Sequence, residues 1–261
     1  SILLVQSSLK NQIQAWLPEK KHNVTAIELD YTEEDYFESR KKTFDTLDTK
    51  TIPIEAYVIY TSGSTGNPKG VINLHSGLMN RLSWMCDYLS ISAKDVFLQK
   101  TSISFDVSLW ELLCPLMTGA TLVIAKPEGH KDPAYLTKLI KQYGVSIIHF
   151  VPSMLKAFLG ATTTPDLCSL RHVICSGETL TVELQNTFFS SLECELYNFY
   201  GPTEAAIDVT AWQCENNRDN RNIVPIGKPI SSNEIYILNK NLEPAVLGTP
   251  GELYISGVQL A

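Results

Sequence analysis

The stretch Ala56-Tyr57-Val58-Ile59-Tyr60-Thr61-Ser62-Gly63-Ser64-Thr65-Gly66-Asn67-Pro68-Lys69-Gly70 runs from a β-rich segment straight into a polar loop. Its last ten residues hold three glycines, four hydroxyl side chains and one lysine. Glycines let backbone N–H groups close on an anion, hydroxyls add donors, and a lysine adds positive charge. A loop of this make-up after a strand therefore suits phosphate. A polar surface turn would share much of the composition. A Walker A loop is excluded, because that pattern needs Gly-Lys-Ser/Thr, and here Pro68 precedes Lys69 while Gly70 follows it.

Outward from this loop, short β-rich runs alternate with helix-like segments. Ala56–Tyr60 precedes Leu74–Leu89, Val96–Leu98 precedes Val107–Met117, and Leu122–Ala125 precedes Pro133–Gln142. Ser146–Phe150 then leads to a helix from Pro152, His172–Cys175 to Val182–Phe189, and Glu195–Asn198 to a loop. This is the βαβ rhythm of a parallel sheet, and its continuously apolar strands read as buried on both faces. Beyond about Asn222 the helices stop. Ile235–Leu238 and Glu252–Ser256 are strand-like, with Pro and Gly turns between them. The expected organisation is an α/β core over residues 1–222 and the start of a β-rich, barrel-like subdomain over 223–261. The polar stretch Cys214–Asn222 is expected to be the exposed linker. Tyr31–Lys50 is dense in charge without an apolar period, and reads as a surface helix or a loop.

The chain has 261 residues, 44% hydrophobic and 19% charged, enough apolar content for a large core. Its formal charge of -7 argues against a protein that grips nucleic acid by neutralising phosphates. The six cysteines form no CxxC pair and no zinc spacing, so they read mostly as reduced core residues. No apolar run reaches the length of a membrane span, and Ser1–Leu9 lacks the marks of a secretory peptide. A cytoplasmic enzyme is expected.

The strand and loop at 56–70 resemble the signature of the adenylate-forming superfamily, closest to the amino-acid adenylation domains of nonribosomal peptide synthetases. The resemblance implies the N-terminal α/β core of that superfamily, with mostly parallel sheets flanked by helices. It implies ATP-phosphate contacts for Thr61, Ser62, Gly63, Ser64, Thr65, Gly66 and Lys69. Asn198-Phe199-Tyr200-Gly201-Pro202-Thr203-Glu204 resembles the second strong signature of the family. There the resemblance puts adenine against Tyr200, the α-phosphate at Thr203 and Mg²⁺ at Glu204, with Asn198, Phe199 and Gly201 flanking the nucleotide. A flat aromatic suits a purine face, and a carboxylate suits a hard cation that bridges phosphates. A Gly-Pro turn capping the next segment is the alternative reading. Ser176-Gly177-Glu178, after Val173-Ile174-Cys175, resembles the adenine-proximal strand end, which brings Gly177 and Glu178 into the nucleotide set.

Gly251-Glu252-Leu253-Tyr254-Ile255-Ser256-Gly257 resembles the next family motif, although Gln259 stands where many members have glycine. The resemblance runs from about Ala56 to Ala261. The family's ribose-binding aspartate and the lysine of its mobile C-terminal domain are expected beyond Ala261. Both ends are thus expected to be cut, and the chain alone is expected to be inactive.

Ser104-Phe105-Asp106-Val107-Ser108-Leu109-Trp110-Glu111 resembles the segment that opens the family's amino-acid pocket, where an aspartate binds the α-ammonium. Asp106 inherits that role, and a bound ammonium would give a buried carboxylate its partner. Locally, Asp106 could instead N-cap the helix starting near Val107. The family's pocket positions fall on Asp106, Val107, Trp110, His149, Ile174, Ser176, Phe199, Ile207 and Asp208. The set resembles serine-activating pockets, with Phe199 where leucine is common and expected to shrink the cavity. Threonine is the nearest competitor, since one methyl changes specificity by only roughly 10- to 200-fold. His149, in an apolar strand, could be a satisfied core residue. With Asp208 it reads as a hydrogen-bonding pair for a substrate hydroxyl.

The implied reaction is ATP-dependent formation of an aminoacyl-AMP, catalysed with Lys69, Thr203 and Glu204. Transfer to phosphopantetheine on a peptidyl carrier protein would follow, in a synthetase that also has condensation domains. The alternatives are an acyl- or aryl-CoA ligase of the same superfamily, which has no ammonium for Asp106 to bind, and a nucleotide-binding module without turnover.

Overall fold

The computed structural model describes residues 2–5, 25–28, 54–62, 67–161, 167–216 and 222–261. Residues 1–52 and 53–261 form two compact units. In the first, β1 (Ile2–Val5) and β2 (Thr25–Glu28) pair in parallel, with Ile2 opposite Thr25. Tyr31–Lys50 lies outside the described residues.

The second unit opens with β3 (Glu55–Thr61) and β4 (Lys69–Leu74), an antiparallel pair with Thr61 opposite Lys69. Here the expected βαβ step is corrected: the chain turns back at the polar loop before entering α1 (His75–Tyr88). The alternation in Lys69–Leu74, with Val71 and Asn73 buried and Ile72 half exposed, marks β4 as a strand with one covered face.

The main sheet has seven strands in the order β11-β10-β9-β8-β7-β5-β6. Five of them run parallel: β5 (Val96–Gln99), β6 (Thr121–Ile124), β7 (Ile147–Phe150), β8 (His172–Cys175) and β9 (Glu195–Tyr200). The helices between them are α2 (Val107–Thr118), α3 (Pro133–Tyr143), α4 (Pro152–Ala161) and α5 (Val182–Ser191). Local chemistry starts two of these helices. Asp132 Oδ1 accepts from the Tyr135 N–H at 3.1 Å before α3, and Thr181 Oγ1 accepts from Leu184 at 3.2 Å before α5. The edge is antiparallel: β10 (Thr210–Gln213) returns along β9, and β11 (Lys228–Pro229) pairs with β10. A separate hairpin follows, β12 (Asn233–Leu238) with β13 (Glu252–Gly257), Asn233 facing Gly257.

Because side chains alternate along a strand, each strand feeds two cores. Ile148 and Phe150 of β7 pack with Leu136, Ile140, Phe158 and Phe188 of α3, α4 and α5. Ile147 packs on the other face with Leu82, Met85, Trp110 and Cys114 of α1 and α2. Both β7 and β8 are buried along their whole length, as expected of strands covered by helices on both sides. All six cysteines are free thiols, and only Cys168 is exposed.

Candidate active site

A cavity of about 580 Å³ opens at the C-terminal ends of the parallel strands, the usual binding edge of an open α/β sheet. Lys100 and Thr101 reach it from the end of β5, Asp106 and Val107 from the start of α2, and His149 from β7. Ser176, Gly177 and Glu178 follow β8, while Gly201, Thr203, Ile207 and Asp208 follow β9. A second cavity of about 310 Å³ shares Gly177, Glu178 and Gly201 with the first and adds Thr179, Asn198 and Tyr200.

Asp106 is 9% exposed and stands at the N-cap position of α2, but its backbone is already helical (φ -62°, ψ -26°) and its side chain makes no capping bond. Its Oδ2 has no hydrogen-bond partner among the described residues. Burial pushes its carboxyl up to about 6, and the neighbouring Asp208 adds to the rise while a hydrogen bond with Thr203 opposes it. A buried acceptor of this kind is costly unless something in the cavity meets it.

His149 and Asp208, expected to serve a substrate hydroxyl, have separate protein partners. His149 Nε2 lies 3.0 Å from Ser176 Oγ, and its Nδ1 has no partner among the described residues. Burial, with Lys100 and Arg81 nearby, holds its imidazole well below the ordinary histidine range, so the ring is neutral at physiological pH. Asp208 instead accepts from Arg81 Nη2 of α1 at 2.6 Å, both side chains being buried. Burial pulls the Asp208 carboxyl upward, and the guanidinium opposes it. The Arg81 guanidinium also sits over Trp84 and Phe199, 5.2 and 5.3 Å from the ring centroids.

Of the nine pocket positions, Asp106, Val107, His149, Ser176, Ile207 and Asp208 line the large cavity. Trp110, Ile174 and Phe199 are fully buried behind them in the core of α1 and α2. Trp110 meets His149 edge-on at 6.0 Å, and Phe199 packs on Trp84 and Tyr197. Phe199 is not in the lining of the large cavity but is part of the wall of the second one. The turn carrying Ile207 and Asp208 has two consecutive left-handed residues, Ala206 (φ 47°) and Ile207 (φ 82°), each costing on the order of 1–2 kcal/mol. It presses on Gly201, where a Cβ would come within 2.5 Å of Asp208 Cα. Only glycine fits there.

The model of the AMP-binding enzyme family matches residues 1–261. The chain belongs to that family. It is 50% identical over 207 residues to phosphinothricin tripeptide synthetase PhsB of Streptomyces viridochromogenes, covering 79% of this chain and 17% of PhsB. It is 43% identical over 213 residues to enterobactin synthase component F of Escherichia coli K12, covering 79% and 16%. The chain thus spans under a fifth of the length of these relatives. Among solved structures, a four-domain nonribosomal peptide synthetase, holo-AB3403 bound to AMP and glycine, superposes with a TM-score of 0.80 at 25% identity, covering 99% of this chain and 18% of that one. The N-terminal subdomain of Klebsiella oxytoca NpsA, in complex with 3-hydroxybenzoyl-AMSN, gives 0.76 at 26% identity, covering 94% and 61%. The α/β core of the adenylate-forming enzymes is the observed architecture.

In this AMP-binding enzyme, Gly63–Gly66 of the polar loop lie outside the described residues, while Thr61 and Lys69 face each other across the β3–β4 pair with Ser62 beside them. Tyr200 is 39% exposed and lines the second cavity. Asn198 Nδ2 donates to Pro225 O at 2.8 Å, and Glu178 accepts from Ser153 N and Oγ, both at 2.9 Å. These bonds fix the rim that the two cavities share. Thr203 lines the large cavity, and Glu204 is exposed beside it. Among the described residues no cluster of three or more His, Cys, Asp or Glu gathers to hold a metal. A lone exposed carboxylate fits Mg²⁺ of the kind held mainly by nucleotide phosphates and water. Among the same residues, no helix is long and apolar enough to cross a membrane.

Three residues escaped the sequence reading. Arg81 shares the buried stripe of α1 with Gly77, Leu78, Leu82 and Met85, and an arginine within an apolar stripe was its available signal. Glu111, buried on α2, accepts from Lys100 N, Thr101 N and Thr101 Oγ1 at 3.1, 3.0 and 2.6 Å, which anchors the strand end beside the cavity. Lys100 lies over the Phe150 ring at 4.8 Å, and burial pushes its ammonium down while Glu111 resists. No local pattern marks either one.

Proposed function

We propose that this chain activates an amino acid, with L-serine favoured, as an aminoacyl-AMP for loading onto carrier-bound phosphopantetheine. The observation that carries the reading is the buried, unpartnered Oδ2 of Asp106 in the wall of the large cavity. An α-ammonium would satisfy it through a charge-assisted hydrogen bond. The neutral His149, with its free Nδ1, and Ser176 offer complementary groups to a side-chain hydroxyl. In the second cavity, Tyr200 would take the adenine and Asn198, Gly177 and Glu178 its surround, with the α-phosphate reaching Thr203.

A carboxylate oxygen of the amino acid then attacks the α-phosphorus of ATP. The new P–O bond forms as the bond to the β-phosphate oxygen breaks, and pyrophosphate leaves. Thr203, Lys69 and the loop from Thr61 to Gly66 orient and neutralise the phosphates, so catalysis rests on positioning and charge. Mg²⁺ held with Glu204 would supply further neutralisation. The phosphopantetheine thiol then attacks the acyl carbon and expels AMP.

ATP–pyrophosphate exchange with each common amino acid, in the synthetase that carries this chain, tests the proposal. Exchange strongest with L-serine is expected. Exchange only with acids lacking an amino group would favour a CoA-ligase-type substrate and remove the ammonium role of Asp106, whereas nucleotide binding without any exchange would favour a non-catalytic module.

A further inference from the structure

Gln259 lies just past the end of β13, 1% exposed, with every polar atom of its side chain engaged. The two N–H groups of its Nε2 are shared, one of them bifurcated, among three backbone carbonyls of one turn, Ala205 O at 3.1 Å and Ala206 O and Asp208 O at 3.0 Å. Its Oε1 accepts from Asn80 Nδ2 of α1 at 2.9 Å and from Asn233 Nδ2 of β12 at 2.6 Å. The chain reaches this position because α1 has Gly77, whose missing Cβ would fall 3.0 Å from Gln259 Cα.

The turn needs such a clamp. With Ala206 and Ile207 both left-handed, the backbone cannot pair its carbonyls in a regular ladder, and buried carbonyls left without donors are costly. The preceding carbonyls have other donors, Thr203 O from Asn73 Nδ2 and Glu204 O from the Ala261 N–H, both at 2.9 Å. Among the described residues, Gln259 gathers the carbonyls of Ala205, Ala206 and Asp208. On the far side of the turn stand Ile207 and Asp208, both in the wall of the large cavity, the latter on Arg81.

We propose that Gln259 is a positioning residue for substrate selectivity, clamping the Ala205–Asp208 turn so that Asp208 meets Arg81 and Ile207 faces the acyl cavity. The proposal rests on the amino-acid adenylation reading. Gln259→Gly removes the donor, Gln259→Met keeps the length without polar atoms, and Asn233→Ala loosens only the far end of the clamp.

Exchange kinetics of the intact synthetase carrying each variant provide one readout. The KM for serine should rise about tenfold with Gln259→Met while the KM for ATP stays within about twofold, and the serine-to-alanine ratio of kcat/KM should fall about tenfold. Asn233→Ala should shift both in the same direction by less, and it carries the test if the Gln259 variants do not fold. Amide hydrogen exchange at Ala205–Val209 is the second readout and needs no activity: it should accelerate in every variant. An unchanged selectivity ratio, or equal increases in the KM for serine and for ATP, would overturn the proposal. Unchanged exchange at Ala205–Val209 would also overturn it, and does so even if the wild-type synthetase shows no amino-acid-dependent exchange, a result that would by itself defeat only the adenylation reading.

Discussion

Replacing Arg81 by methionine removes the charge that faces Asp208 while keeping a stem that can fill the space against Trp84 and Phe199. Both partners are buried at 2.6 Å, and among the described residues Arg81 is the cation that opposes the rise of the Asp208 carboxyl. Breaking one side of a buried ion pair typically costs about 3–5 kcal/mol. A charge-centre separation of about 4 Å at an effective dielectric of about 20 gives a similar attraction, about 4 kcal/mol. Burial already pulls the Asp208 carboxyl upward, and without Arg81 it rises further, so the acid can escape the penalty by protonating. The penalty is therefore full above the new folded-state value and fades as the pH falls through it. The expected local destabilisation is about 3 kcal/mol at pH 7 and less at pH 5.5. Native-state hydrogen exchange at the amides of α1 and β10 reads this as a local opening free energy. Arg81→Met with Asp208→Asn should recover part of the loss, since the charge left behind is gone. A change under about 1 kcal/mol, or a double variant no better than the single one, would refute a stabilising ion pair at this site.

Asp106→Asn should raise the amino-acid KM by about a hundredfold with little change in the KM for ATP, as judged by exchange kinetics. In the wild type, Asp106 is neutral below its value of about 6, so kcat/KM for the amino acid should fall as the pH drops through that value, and the variant should lose this limb. Because that carboxyl is raised from its ordinary 3.8, ionising it costs stability as the pH rises from about 4 to 6, and bound amino acid should give a larger thermal upshift at pH 7 than at pH 5. Tyr200→Ala should raise the KM for ATP by roughly threefold to tenfold, the worth of one stacked ring, with serine selectivity intact. Gly201→Ala would drive a Cβ into the Ile207–Asp208 backbone, and should cost more than about 2 kcal/mol in Tm-derived stability and abolish exchange; wild-type behaviour would mean that the turn yields easily.

Much of the main sheet was legible because its strands carry dense apolar runs. His172–Cys175 was read to the residue, and most other boundaries fell within one or two residues. The antiparallel β3–β4 step was missed because Lys69 and Gly70 belong at once to a phosphate-type loop and to a strand. β11, two residues long, lacks the length to show a period. In the site, the residue types were readable but their partners were not. Asp208 was read with His149 as serving a substrate hydroxyl, and its own cation, Arg81, comes from 127 positions earlier. Gln259 stood out only as a departure from glycine, and its five polar partners come together only through packing between α1, β12 and the turn.

Trp110, Ile174 and Phe199 are core residues first, and this bears on transplanting the pocket. Grafting the nine pocket positions onto a related scaffold would exchange three members of its hydrophobic centre and leave Arg81 behind. The transplant would carry the letters of the recognition code without the grammar that orders them. Such a chimera should fold less well and discriminate less sharply than its donor until α1 is moved along with the pocket.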